Sequence, residues 1–500
     1  MADSRIKIIK DSAFVSFGRF ISAFVAAVRG FVVAKFLGPE MFGILNILNL
    51  VQLYASYFNP GLQAAASREM PFLKAKNDLD AYSKVKNTFI STDFIITLCL
   101  ALAITVFALF LDNIVLKIAL VLTALLYIIL RIRGYFELVA RTDRKFVLLT
   151  KVNIIYSLVI SVLIIASVYW FGLYSVLGFP ILISIGSIFY LRKYIRIDLS
   201  FSIDKVQFFK LLRIGMPLFL GSIAFTGIRF SDRTIVAIFL GPVQLGLYSL
   251  GTYFVNLFRL ISAGFSEVIV PYYQHKLGTS KEVLALKNYA IKPGIVFSTA
   301  FSFLIGVLLL SIHLLIFNFL PKYIDSLMVI KMSLLTVFPI VMNFFPSYVL
   351  NSSIVNKQTA VMLIWWAGTA VNIFLNLLFI LQMNWGINGI ALATLISNVF
   401  ILLSIYLLSN RYIIESLREA ISYYFGLLFP LIYTLCICLL FWKIFGYEDR
   451  NILNIFSQIL IFSILYIPVI VYMELKTGIF KISRTILGSG ADKEQYERQG

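Results

Sequence analysis

"FLGPEMFGILNI", Phe36 to Ile47, returns 203 residues later as "FLGPVQLGLYSL", Phe239 to Leu250. Both keep Phe-Leu-Gly-Pro and a second glycine four positions past the proline. Each copy lies between long apolar runs. Glycine accepts a left-handed helix cap and proline suits a first helical turn, so Gly-Pro is a point where one helix stops and another starts. The spacing therefore predicts two helical hairpins at equivalent places in a repeated structure. At the same offset Gly18 meets Gly221, and a weaker echo joins Phe171-Gly172-Leu173 to Trp385-Gly386-Ile387.

The flanking sequence sets the class. Of 500 residues, 60% are hydrophobic and 13% charged, and the mean hydropathy is +0.92, the composition of an integral membrane protein. Apolar runs long enough to cross about 30 Å of hydrocarbon as helix recur along the chain. They are 12–36, 41–67, 88–111, 114–138, 146–170, 172–191, 212–238, 243–272, 291–319, 325–350, 358–383, 386–409, 420–445 and 452–474. Membrane strands alternate apolar and polar residues, whereas "ALAITVFALFL" (Ala101 to Leu111) is apolar throughout. The expected fold is all-α, with about fourteen membrane-spanning helices. The repeat holds six spans per half, an even number, so the halves share one orientation and are related by an axis along the membrane normal. That divides the chain into an N-terminal lobe (1–195), a linker (196–211), a C-terminal lobe (212–410), two further spans (411–476) and a tail (477–500). The linker, with apolar and basic residues interleaved, reads as an interfacial helix.

Lys and Arg total 43 against 24 Asp and Glu, a net charge of +19. The basic residues crowd the N-terminus (Arg5, Lys7, Lys10), the tail (Lys476, Lys481, Arg484) and the connections after even spans, such as Lys74, Lys76, Arg141, Arg144, Arg192, Lys193, Lys276, Lys281, Lys287, Lys357 and Arg411. Opposite connections hold few, chiefly Lys117, Lys322 and Arg450. The positive-inside rule then places both termini in the cytoplasm of a multi-pass cell (inner) membrane protein. The same charge attracts anionic lipid heads. Its dispersal over short loops argues against a nucleic-acid partner. Cys99, Cys436 and Cys438 all fall inside spans and read as small buried apolar residues, without metal or disulfide spacing. The first span carries arginines and lacks a cleavage site, so it reads as a retained helix.

Ionisable residues at mid-membrane are costly and usually face a partner or a watery cavity. The deepest are Arg19 and Arg29 in span 1, Arg229, Asp232 and Arg233 in span 7, and Arg259 in span 8, with Lys35 and Lys331 nearer the outer surface. Arg229, Asp232 and Arg233 stand at i, i+3 and i+4 on one helix face. In that arrangement Asp232 is expected to hold one arginine while the other binds an anion. Glu69, Glu267 and Asp93 are expected to be solvated near cytoplasmic ends, with ion coupling as the alternative for Asp93. A positively lined cavity calls for an anionic substrate. Guanidinium pairs suit phosphate through bidentate donation, and a lipid-linked sugar offers a diphosphate.

"FLGPEMFG", "SDRTIVAIFLGPVQLGLYSLGTYF" (Ser231 to Phe254), "FLPKYIDS" and "WGINGIALATLIS" (Trp385 to Ser397), together with the helix total, resemble the polysaccharide-repeat flippases. These are the Wzx-type O-antigen translocases of the multidrug/oligosaccharidyl-lipid/polysaccharide exporter superfamily. The resemblance covers most of the chain and implies movement of a polyprenyl-diphosphate-linked oligosaccharide from the cytoplasmic to the outer leaflet, with polysaccharide polymerase machinery as a candidate partner. It also implies a lipid-tail groove formed by the last two spans. Asp232-Arg233 and the span 1 arginines match the family pattern. Span 2 departs from the peptidoglycan-precursor flippases, having no basic residue before Arg68.

Two rival readings compete with it. A cation-coupled multidrug exporter of the same superfamily is expected to use buried carboxylates and aromatics, whereas arginine dominates here. A membrane glycosyltransferase, polysaccharide polymerase or ligase normally carries a sizeable outer loop or a nucleotide-sugar site, and every outer connection here is short. His275 and His313, the two histidines, have no evident acid/base partner. No P-loop, Rossmann fingerprint or zinc spacing is present, so no catalytic residue, cofactor or metal is expected.

Overall fold

The computed structural model describes residues 2–197, 200–280, 287–352, 354–414, 416–446 and 452–478. The side chains of Arg5, Lys7, Lys10, Arg19, Glu267, His275, Lys276, Lys287 and Lys476, and residues Lys281, Arg450, Lys481 and Arg484, lie outside that description. The fold is all-α, with no strand among the described residues. Twelve described segments are long and apolar enough to cross a membrane, one being the kinked 38-residue stretch Phe20–Tyr57.

The first compact unit comprises residues 1–267 and 365–394. It contains α1 (Ala2–Tyr57), α2 (Leu62–Ala75), α3 (Leu79–Leu109), α4 (Ile114–Thr142), α5 (Phe146–Phe171), α6 (Leu173–Tyr194) and α7 (Lys205–Phe239). Parts of α8 (Gly241–Ser280), α12 (Gln358–Leu377) and α13 (Gly386–Ile413) also belong to it. Gly38, at φ 72°, breaks α1 between the first two expected spans, and Gly241, at φ 81°, separates α7 from α8. Both are left-handed positions where a side chain would be strained, as the Gly-Pro reading anticipates. The weaker echo holds as well: Gly172 and Gly386 open α6 and α13 with φ of 52° and 55°. Gly18 and Gly221 do not share a role. A Cβ on Gly18 would come 2.4 Å from Thr150 Cγ2 of α5, whereas one on Gly221 meets no described atom within 4 Å.

Leu62, Met70, Val85, Phe89, Tyr135, Leu149, Leu191 and Leu211 form an apolar core joining α2 to α7. The connection from α6 to α7 corrects the expected interfacial helix. Its described residues, 195–197 and 200–204, form no helix and are tied to α3, where Asp204 N donates to Thr88 Oγ1 at 3.1 Å and Asn87 donates to Ser200, while Ile195 is buried. Asp204 then caps α7 by accepting from Val206 N and Gln207 N at 2.8 and 3.1 Å, which starts the helix there. Cys438 is buried, but Cys99 and Cys436 are exposed on helix surfaces, contrary to the uniform burial expected.

The second unit comprises residues 268–364 and 395–500. Its centre is α9 (Lys287–Phe319), against which α10 (Leu327–Met342), α11 (Phe344–Asn351), α14 (Leu417–Phe445), α15 (Ile452–Leu465) and α16 (Ile467–Thr477) pack. Gly306 makes room for neighbours: a Cβ there would lie 2.4 Å from Phe462 Cζ and 2.8 Å from Thr434 Cγ2. Tyr466 OH donates to Thr299 O at 2.9 Å, anchoring the last helices to α9. Large apolar side chains such as Leu407, Leu439, Leu453 and Phe456 stand exposed on the outside, as a lipid-facing surface requires.

Candidate functional site

The two repeated motifs touch each other. A Cβ on Gly43 would lie 1.7 Å from Pro242 O, and one on Gly246 would lie 1.9 Å from Pro39 O. The glycine of each motif thus admits the proline carbonyl of the other. At a second level α2 crosses α7, where a Cβ on Gly215 would lie 2.4 Å from Gly61 O. Arg229 and Arg233 fall between these crossings along α7, Arg229 being about 21 Å of helix rise from Gly215.

Around that stretch the structure brings Arg29, Arg229, Arg233 and Arg259 together. Gly30 lets the Tyr253 ring lie against α1, where a Cβ would meet Tyr253 Cε1 at 2.3 Å. Tyr253 lies within electrostatic range of both Arg29 and Arg233, and Arg259 within range of both Arg229 and Arg233. Arg233 donates to Thr252 Oγ1 at 2.8 Å, and Arg229 stands over the Phe230 ring at 4.9 Å. The Nε atoms of Arg229, Arg233 and Arg259 are buried without a hydrogen-bond partner among the described residues. No salt bridge among the described residues involves any of the four. Three neighbouring guanidiniums with unpartnered Nε donors and like charge are an arrangement that an anionic ligand would stabilise. Arg19 lies on α1, but its side chain is outside the described residues. Lys35 is exposed.

Asp232 does not hold an arginine through an ion pair, which corrects the expected role. It is 2% exposed and accepts from Asn372 and Asn376 Nδ2 at 2.9 and 2.8 Å on one oxygen. Its other oxygen accepts from Tyr248 OH at 2.8 Å and Thr394 Oγ1 at 2.7 Å. Asp232 thus reaches α12 and α13 as well as Tyr248 of α8, while Arg233 reaches Thr252 one turn further along α8. Four donors occupy the acceptor sites of this buried carboxylate. The oxygens of Asp232, Asn372, Asn376 and Thr394 are hard donors of the kind alkali and alkaline-earth ions accept. Among the described residues no three of His, Cys, Asp and Glu cluster.

Asp93 is not solvated: it is 1% exposed. It accepts from Tyr135 OH at 2.6 Å and from Asn59 Nδ2, and lies 3.8 Å from Arg131 Nη1. Glu69, also expected in solvent, is mostly covered and pairs with Lys210 Nζ at 2.8 Å. Lys331, in the second unit, is buried within the protein. Its Nζ is 3.1 Å from His313 Nε2 and 4.8 Å from the Trp442 ring centre, so His313 has a partner after all.

Sequence reasoning missed Arg131 and Arg133 on α4. Arg133 Nε pairs with Glu137 Oε1 at 3.2 Å, and its guanidinium lies 3.6 Å from the Tyr156 ring centre. The i, i+4 spacing in "RIRGYFE" carried the signal for that pair. Arg131 lines a pocket of about 360 Å³ together with Tyr57, Asn59, Gln63, Phe219 and Ser222.

Residues 8–275 match the model of a family described as polysaccharide biosynthesis proteins. No curated protein matches the sequence. Among solved structures, the chain is similar to the lipid II flippase MurJ in an inward closed conformation. The identity is 17% and the TM-score 0.67, over 91% of this chain and 99% of that one. It is also similar to an inward-facing multidrug-resistance MATE transporter of the MOP superfamily, at 15% identity and a TM-score of 0.56, over 80% and 98% of the two chains. These likenesses establish the fold, one that this chain shares with both of those structures.

Proposed function

The chain belongs to the polysaccharide biosynthesis protein family, and from that premise we propose that it is a flippase. It carries polyprenyl-diphosphate-linked oligosaccharide units, such as those of O-antigen or another surface polysaccharide, from the cytoplasmic to the outer leaflet of the cell (inner) membrane. The carrying observation is the group of half-buried arginines at 229, 233 and 259, whose Nε atoms are buried and have no partner among the described residues. Uncompensated guanidiniums in a low-dielectric interior favour a doubly charged phosphate ligand over a cationic drug, and acid/base chemistry is not needed to explain them. Arg29 and Arg19 add positive charge from α1. Residues 1–195 and 212–410 act as the two lobes, with both termini cytoplasmic, and re-expose the site by rocking. The Gly43/Pro242 and Gly246/Pro39 contacts close the outer end, and the Gly61/Gly215 crossing lies toward the inner one.

The test is made in a strain lacking the protein, scored by polyprenyl-diphosphate oligosaccharide on the cytoplasmic leaflet. Wild type is expected to clear it, whereas the pair Arg229→Ala and Arg233→Ala at matched membrane level is expected to leave it. Clearance by the double variant refutes the arginine site, and no accumulation in the deletion strain refutes the flippase.

A further inference from the structure

The pocket beside Arg131 is lined by none of the clustered arginines and has a different chemistry. Its polar groups are uncharged or compensated. Arg131 is opposed by Asp93 at 3.8 Å, donates from Nη1 to Gln63 Oε1 at 3.2 Å, and donates from Nη2 to Tyr127 OH at 3.3 Å. Asn59 is 6% exposed, and its Oδ1 has no hydrogen-bond partner among the described residues. Two rings complete the wall, Tyr57 and Phe219, with centroids 5.7 Å apart and edge to face. Ser222 supplies a hydroxyl. At about 360 Å³ the space falls within the size class of small-ligand sites, about 300–1,000 Å³.

A compensated guanidinium, carboxamides, a hydroxyl and aromatic faces suit a polyhydroxylated ring, whose hydroxyls both donate and accept and whose C–H faces rest on aromatics. The same set has no surplus charge for a diphosphate. The pocket and the arginine cluster nevertheless share a wall. Tyr57 lies within electrostatic range of Arg229 and 6.1 Å from the Phe230 ring, over which Arg229 stands. A diphosphate held by Arg229 therefore has this pocket as its neighbour.

We propose that the pocket lined by Tyr57, Asn59, Gln63, Arg131, Phe219 and Ser222 is a carbohydrate subsite that receives the sugar attached to the diphosphate, an assignment that rests on the flippase reading. The test uses the full-length protein in lipid nanodiscs. Its probes are bare polyprenyl diphosphate and the same lipid carrying one hexose or one N-acetylhexosamine. For wild type, at least one sugar-bearing probe is expected to bind about tenfold more tightly than the bare one. Gln63→Leu with Phe219→Ala, and separately Ser222→Val, are expected to remove most of that difference and leave bare-probe affinity unchanged. Arg229→Gln is expected to weaken all probes alike. Equal wild-type affinity for bare and both sugar-bearing probes overturns the subsite while leaving the diphosphate site standing. So does a sugar increment that survives in both pocket variants. If no probe binds the wild type, the flippase reading falls and the subsite with it.

Discussion

Replacing Gly43 by alanine puts a methyl carbon where the carbonyl oxygen of Pro242 already sits, at 1.7 Å. The reciprocal change at Gly246 puts one 1.9 Å from Pro39 O. Carbon–oxygen contacts settle near about 3.3 Å, so either variant demands roughly 1.5 Å of separation between helix backbones. The obstacle is carbonyl backbone rather than a flexible side chain, so it cannot turn aside. Over-packing of this kind costs about 1–3 kcal/mol, and if the contact exists in one conformation and is broken in another, that cost shifts their ratio by about 5- to 150-fold. The assay is a distance measurement by pulsed electron paramagnetic resonance in nanodiscs, with nitroxides on Glu40 and Val243 and the three native cysteines replaced by serine. Each alanine variant is expected to populate a longer distance that is minor in the parent. Gly186→Ala, where a Cβ meets no described atom within 4 Å, is expected to match the parent. A melting temperature that falls without a second distance, or a distribution unchanged by both variants, refutes the assignment of this contact as a closure.

The two buried carboxylates yield further expectations. Asp232→Ala removes the acceptor of Tyr248 and Asn372, while Thr394 and Asn376 keep Ile390 O and Asn372 Oδ1; at about 1–3 kcal/mol for each buried unsatisfied group the loss reaches at least about 2 kcal/mol. Thermal unfolding in detergent checks it, and an unchanged midpoint contradicts the buried-acceptor role. Asp93→Asn removes the charge opposite Arg131 and is expected to cost about 1–3 kcal/mol in the same assay. Glu69→Gln, whose partner Lys210 is 47% exposed, should change stability by no more than about 1 kcal/mol.

The closure was half legible in the chain. The repeated glycines announced two equivalent hairpins, and the positive φ of Gly38, Gly241, Gly172 and Gly386 follows from the residues themselves, because a left-handed backbone position is a local requirement. That the motifs would meet each other, carbonyl to glycine, has no local signature. The same holds for Gly18 and Gly221, equivalent in sequence and unequal in packing. The i, i+3, i+4 reading of span 7 located the right helix and misassigned Asp232, since an ideal wheel places residues on a face but does not say which neighbouring helix offers donors.

By itself the sequence determined the membrane class, the all-α architecture, the hairpin glycines and the excess of cations within the spans, all of which depend on composition and on single-residue backbone preferences. Tertiary structure alone decided which of those charges are compensated. Asp232 is satisfied by Asn372, Asn376 and Thr394, from 140 to 162 positions away, and Arg131 by Asp93 on another helix, while Arg229, Arg233 and Arg259 keep unpartnered donors. Compensation of a buried charge falls off within a few ångströms, and contacts at that distance are made between helices whose separation along the chain carries no information about their separation in space.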